Sequence, residues 1–144
     1  MYAAFLWYRF RLTLAASRGR TYRTAMSHNG FRDLRVWQKA MDLAVVVYGI
    51  TGRFPRDERF GLVSQARRAA VDVASDIAEG HGRFTPGEFR NLLSCARGSL
   101  NEVETDFEIA YRLTYVSQAD RTAILDSTDE VARMLTALKR SIGR

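Results

Sequence analysis

The residues with the most chemical potential in this chain are four acidic side chains, Glu102, Glu104, Asp106 and Glu108. Two carboxylates on one face can divide the roles of general acid and general base. At about 100° per residue, however, these four spread over at least two faces of a helix. We therefore interpret the cluster as a solvated or interface surface rather than as a catalytic pair.

Histidine and cysteine do not occur in the patterns that metals or nucleophiles require. Di-metal helical bundles use Glu-x-x-His pairs, whereas His28 and His81 lie in predicted loops outside that spacing. The lone cysteine, Cys95, excludes an internal disulfide, and we expect it to be a buried structural thiol. The segment GHGR (80–83) is too short for a phosphate-binding loop and follows no strand. We expect no catalytic residue, no metal and no cofactor, and thus a protein that is not an enzyme.

Arginines offer the remaining chemistry, the binding of phosphate. Arg67, Arg68, Arg83 and Arg90 lie on the predicted second helix or near its joint with the third. The N-terminus of the third helix also presents free N–H groups, which favour anions. We predict that these four arginines contact nucleic acid. The alternative is that Arg68 pairs with Asp72 one turn away and that Arg67 lines a subunit contact.

Net charge does not by itself identify a nucleic-acid-binding protein here. The 144 residues include 22 basic and 16 acidic side chains, which gives a net charge of +6. Five of the arginines and none of the acids lie in residues 1–30, so residues 31–144 carry a net charge of only +1. Any electrostatic attraction to phosphate in this body must therefore come from local patches.

The first 30 residues are arginine-rich, free of acids and apolar at the front, and several interpretations stay open. Arg9 and Arg11 interrupt the apolar stretch that a secretory signal needs, whereas an organelle transit peptide has this composition. The segment could also be a basic arm, or sequence upstream of a true start at Met26. We expect residues 1–30 to be a disordered or wrongly started extension, and residues 31–144 to form one domain.

Four amphipathic patterns follow, joined by short segments, and they predict an all-α fold, an antiparallel up-down-up-down four-helix bundle. The first helix is expected at 34–51, with an apolar face that includes Met41 and Tyr48. The second is expected to end at Glu79, with Gly80 just beyond it. We place the third at 85–115 and the fourth from Ser117. Their N-terminal caps are predicted at Thr85, with Glu88 three residues on, and at Ser117, with Asp120 three residues on. No apolar run approaches the ~20 residues of a membrane span, and one cysteine suits a reducing compartment, so we expect a cytoplasmic protein.

Two helices also carry features that suggest assembly. About half of the second helix is apolar and rich in alanine, with Ala74 and Ala78 on one flank. This width fits either a central helix with two neighbours or a flank that packs on another subunit. On the third helix one stripe is basic at its N-terminal half, with Arg90 and Arg97, and acidic at its C-terminal half. The stripe fits either a head-to-tail subunit contact or a solvated face; it continues from Arg97 through Asn101, Glu104 and Glu108.

Several separated motifs, in order, resemble a known family. They are FRDLRVWQKA (31–40), FP (54–55), GLVSQARRAAVDVASDIAEG (61–80), EF (88–89) and ARGSLNEVE (96–104). Together they resemble the bacterial four-helix-bundle proteins first noted in intervening sequences of large-subunit (23S) ribosomal RNA genes. The resemblance covers about residues 31–142. One departure is Asp76, where the family commonly has Asn before Ile-Ala-Glu-Gly.

The resemblance implies a four-helix bundle that assembles as a ring-shaped homopentamer, without a known enzyme activity. A related branch, similar in fold, accompanies the reverse transcriptase of diversity-generating retroelements, where it binds both the enzyme and nucleic acid. We therefore expect a non-enzymatic homo-oligomeric scaffold that binds RNA, DNA or a ribonucleoprotein partner. The alternative is a protein-interaction adaptor, for a reverse transcriptase or another protein, that contacts no nucleic acid.

Overall fold

The computed structural model describes residues 30–142 as a bundle of four helices. These are α1 (Arg35–Thr51), α2 (Leu62–His81), α3 (Pro86–Arg112) and α4 (Gln118–Ser141). Each helix packs on the next one in the chain, and α4 returns to α1. The four-helix bundle expected from the sequence is thus confirmed. The expectations for the N-terminal extension concern residues 1–29, which lie outside the described residues, as do 143 and 144.

The core consists of one apolar stripe from each helix. Burying such a stripe stabilises the fold by about 25 cal/mol per Å² of apolar surface removed from water. The connection between α1 and α2 contributes Phe54, whose ring lies 6.1 Å from that of Phe107 and 5.9 Å from that of Tyr115. The largest fully buried side chains are Phe89, Phe107, Leu43, Ile77, Leu93, Leu100 and Ile124.

The two predicted helix caps are confirmed. The Thr85 hydroxyl accepts from the backbone N–H of Glu88 at 3.2 Å, and Pro86 occupies the first helical position. At α4, the Ser117 hydroxyl accepts from the N–H of Asp120, whose carboxylate accepts from the N–H of Ser117. Such caps stabilise a helix by about 1 kcal/mol each. At α3 the reciprocal bond differs, because the Glu88 carboxylate accepts from the Thr85 hydroxyl instead of its N–H.

The prediction that Gly80 lies beyond the end of the second helix is wrong. Gly80 is buried inside α2, which continues to His81. A Cβ at this position would lie 2.7 Å from Cδ2 of Phe89 and 3.0 Å from Cβ of Leu92. The glycine therefore permits close approach of α2 and α3, and the C-cap of the helix is Gly82, two residues later.

The apolar face predicted for the first helix is rotated from the observed one. Met41 and Tyr48 are 41% and 46% exposed, whereas Leu43 and Ile50 are buried. The buried face of α1 is the one that packs on α2 and α4, and Met41 and Tyr48 lie outside it. Cys95 was expected to be buried but is exposed on α3.

Candidate phosphate-binding groove

The four arginines predicted to bind nucleic acid do not lie together. Arg67 points back to α1, where its Nε donates to the Thr51 hydroxyl at 2.9 Å. Its guanidinium also lies 4.6 Å from the ring centre of Tyr48. Arg83 forms an ion pair with Glu79 in the last turns of α2. Both arginines therefore have partners within the chain, and these contacts stabilise the fold.

Arg68 and Arg90 lie in two different grooves. Arg68 lines a groove between α2 and α3, whereas Arg90 lines one between α3 and α4. The structure therefore does not bring Arg68 and Arg90 into one groove. Consecutive arginines such as Arg67 and Arg68 point about 100° apart on a helix, so they face different neighbours.

The α3–α4 groove is strongly basic, with four cationic side chains in its lining. Its volume is about 480 Å³. Two cations come from α3 and two from the last turns of α4, and none of the lining side chains is acidic or aromatic. The groove is lined by Arg90, Leu93, Ser94, Arg97, Leu135, Thr136, Lys139 and Arg140.

The helices bring these cations together from two separate parts of the sequence. Arg90 and Arg97 are seven residues apart, so they lie on one side of α3 about 10 Å apart. The antiparallel α4 brings its C-terminal turns beside the N-terminal half of α3, and Lys139 donates from Nζ to the Ser94 hydroxyl. Cations in the last turn of a helix are also favoured by the helix dipole.

The basic surface continues along α4 past the groove. A shallower depression shares Arg97, Thr136 and Arg140 with the groove and adds Arg133. Its only acid is Asp129, at 3.8 Å from Arg133. Within residues 30–142, neither Arg97 nor Arg140 forms an ion pair. Two cations thus remain available to an anionic ligand.

Sequence reasoning missed the α4 side of this groove. Arg97 was assigned to a subunit contact, and the basic residues Lys139 and Arg140 were not considered. More than 40 residues separate Arg97 from Lys139, so no local sequence pattern indicates that the two side chains line one groove. The antiparallel topology was predicted, however, and it places the end of the fourth helix beside the start of the third.

The residues of the polar stripe predicted as a subunit interface lie in different environments on the bundle. Glu108 is bound within the chain, because Arg121 and Arg112 donate to its carboxylate at 2.7 and 3.1 Å. These hydrogen bonds lower the pKa of Glu108. Asn101 lines the α2–α3 groove, while Glu104 is half-buried on α3. A head-to-tail contact that uses Glu108 would have to displace two arginines.

The alanines predicted for the same interface differ in exposure. Ala74 is only 5% exposed and belongs to the core of its own chain, so the assignment to an interface is wrong for this residue. Ala78 is half-buried at the edge of α2. The width of the apolar face of α2 arises because this helix packs on both α1 and α3.

The α2–α3 groove has a different chemical character. Its volume is about 580 Å³. Asp106 is buried within it, and burial together with the neighbouring Glu102 raises the pKa of the Asp106 carboxyl to about 6. On α2 the pKa of Asp76 is also raised, by burial and by repulsion from Asp72 and Glu79. The α2–α3 groove is lined by Gln65, Arg68, Ala69, Asn101, Glu102, Thr105 and Asp106.

Neither groove contains a recognisable metal centre. In residues 30–142, no group of three or more His, Cys, Asp and Glu side chains is arranged to hold a metal ion. None of the four described helices is long and apolar enough to cross a membrane.

Comparison with known proteins agrees with the bundle and its motifs. A family model described as 23S rRNA-intervening sequence protein matches residues 32–137. The chain belongs to this family. No curated protein matches it. Among solved structures, a protein of unknown function from the S23 ribosomal protein family of Bacteroides thetaiotaomicron is similar, with a TM-score of 0.68 and 21% identity. The match covers 73% of this chain and 98% of that chain, and it shows a shared fold.

Proposed function

We propose that this protein is a non-enzymatic, homo-oligomeric helical scaffold that binds the backbone of nucleic acid, alone or within a ribonucleoprotein. The observation that supports the proposal is the α3–α4 groove, where four cations converge without a carboxylate among the lining residues. Membership of the 23S rRNA-intervening sequence family is consistent with a role next to RNA.

The residue types in the groove suit an anionic group such as phosphate better than a nucleic-acid base. Arginine presents several N–H donors in a planar fork that matches two phosphate oxygens. Stacking of unpaired bases requires aromatic or planar faces, and the lining of this groove contains no aromatic side chain. We therefore expect binding that depends weakly on base sequence and strongly on salt.

Titration of labelled duplex and single-stranded RNA and DNA into the protein tests this function. We expect saturable binding at low salt that weakens steeply as salt is added. Absence of binding to all four probes at low salt would refute the nucleic-acid part and leave only a helical scaffold.

Self-association is supported by an exposed apolar stripe on α1. Met41, Val45 and Tyr48 are 41%, 69% and 46% exposed and lie at the i, i+4, i+7 spacing of one helix face. Val71 on the adjacent α2 is also 41% exposed. Contiguous exposed apolar surface of this kind marks interaction sites. Light scattering should give the mass of an oligomer, a pentamer by the family resemblance; a monomer at micromolar concentration would contradict this.

The same α1 stripe supports the second candidate function, an adaptor for another protein such as a reverse transcriptase. In that case the protein would co-purify with a protein partner and without nucleic acid. Substituting Val45 by Asp should abolish the co-purification, because it places a charge at the centre of the stripe. Retention of the partner by that variant would exclude the stripe as its docking surface.

A further inference from the structure

The α2–α3 groove contains a carboxyl group without a partner. Asp106 is only 7% exposed, yet within residues 30–142 no hydrogen bond or ion pair reaches its side chain. Every fully buried side-chain oxygen in the described part of the chain has a hydrogen-bond partner. The oxygens of Asp106 must therefore reach solvent, and the groove is the solvent-filled space that this residue lines.

The carboxyl of Asp106 is hydrated only through the groove, so a ligand in the groove that supplies N–H donors would stabilise its charged form. Burial of a charged group in a protein is unfavourable unless a counter-charge or hydrogen-bond donors compensate it. Here Glu102, one turn away on the same face, adds a second negative charge to the groove. The two effects together raise the pKa of Asp106. Arg68 lines the same groove, but it forms no ion pair with Asp106.

Several other side chains of the groove offer acceptors for N–H donors, beside the donor side chain of Arg68. The amide side chains of Gln65 and Asn101 each provide a carbonyl oxygen. The Thr105 hydroxyl donates its own proton to the backbone carbonyl of Asn101 at 2.7 Å, which leaves its oxygen as an acceptor. These acceptors and the carboxyl of Asp106 together complement a planar cation with several N–H groups.

We propose that the α2–α3 groove binds the guanidinium group of an arginine side chain presented by a partner protein, with Asp106 as its principal acceptor. A guanidinium can donate two parallel N–H bonds to one carboxylate and still offer donors to neighbouring oxygens. The groove volume of about 580 Å³ also admits the aliphatic stem of that side chain. This site is separate from the α3–α4 groove and does not depend on nucleic-acid binding.

The test is a titration of the full-length isotope-labelled protein, followed by amide chemical shifts. The probe is N-acetyl-arginine amide, and the matched control is N-acetyl-citrulline amide, which has the same shape without the charge. We expect the arginine compound to shift amides in 65–69 and 101–106 and to bind at least tenfold more tightly than the citrulline compound. Equal shifts from both compounds, or no shift from either, would overturn the proposal.

Two variants make the result specific to Asp106. Asp106→Asn should reduce arginine binding to the level of citrulline, and it should fold because it removes an uncompensated buried charge. Asp126→Asn, an exposed position on α4, makes the same change of charge outside the groove and should bind like the unmodified protein. Undiminished binding by Asp106→Asn would refute the assignment. If the arginine compound instead lowers the mass of the oligomer, a second copy of this chain supplies the arginine. That result would contradict the proposal that a different protein supplies it.

Discussion

Replacing Arg97 and Arg140 together by glutamine should halve the salt dependence of nucleic-acid binding. These two cations lie in the α3–α4 groove without an ion pair in the described residues. For duplexes, each phosphate contact contributes about −0.9 to the slope of log K against log salt. Four contacts therefore predict a slope of about −3.6, and two contacts a slope of about −1.8.

The predicted difference is large enough to measure by fluorescence anisotropy with a short labelled duplex. Between about 50 and about 200 mM salt, the unmodified protein should lose about 150-fold in affinity and the variant about 12-fold. Both proteins should have the same circular dichroism spectrum, because glutamine is a good helix former and neither arginine has a partner in the fold.

The control variant removes the same charge from the other end of the bundle. Arg56 and Arg59 lie in the turn Arg56–Phe60, before α2, and their substitution by glutamine should leave the slope unchanged. An equal reduction in both variants would show that general charge attracts the nucleic acid. An unchanged slope in the groove variant would refute phosphate binding by Arg97 and Arg140.

Four further substitutions test the packing and electrostatics of the bundle by urea unfolding. Gly80→Ala should lower the free energy of unfolding by about 1–3 kcal/mol, because the new Cβ would meet the buried Phe89 ring. The control Gly98→Ala, whose Cβ would meet no atom within 4 Å, should raise it by up to about 1 kcal/mol. Equal effects would contradict the close approach of α2 and α3. Thr114→Asn should stabilise by about 0.5–1 kcal/mol, because Thr114 has φ of 61° and asparagine tolerates that conformation better; a loss of stability would contradict this. Asp106→Asn should stabilise by about 1–2 kcal/mol near neutral pH, after discounting for the solvent of the groove, and by much less below the ordinary aspartate pKa. Stability depends on pH in this direction because folding raises the pKa of Asp106 to about 6, so the unmodified protein loses stability as the pH rises from about 4 through 6. A gain in stability that is independent of pH would show that the charge of Asp106 is not the cause.

The fold was predictable because its signals are local. The caps at Thr85 and Ser117 depend on residues within one helical turn, and the apolar periodicity of each helix identifies its buried side approximately. Gly80 was misread because glycine ends helices and also permits close packing, and only the neighbouring Phe89 distinguishes the two roles. The short connections between the helices predicted the antiparallel topology, and the family motifs implied the same four-helix bundle.

The candidate site was only partly predictable, because its members meet through tertiary structure. Arg90 and Arg97 were both singled out from the sequence, but for different roles. The contact of Arg67 with Thr51 was not predictable, because Thr51 lies on another helix. Lys139 completes the groove from the far end of the domain, and no local pattern connects it to Arg90. Asp106 was seen as part of an acidic cluster, but its burial and its lack of a partner depend on the packing of α2 against α3.

Amide chemical-shift mapping with a duplex RNA is the most direct measurement of the central claim, that the α3–α4 groove contacts the nucleic-acid backbone. We predict that the largest perturbations fall in 90–97 on α3 and 133–140 on α4, and that they disappear when salt is raised. Perturbations concentrated on α1 and α2, with the groove amides unchanged, would contradict the claim.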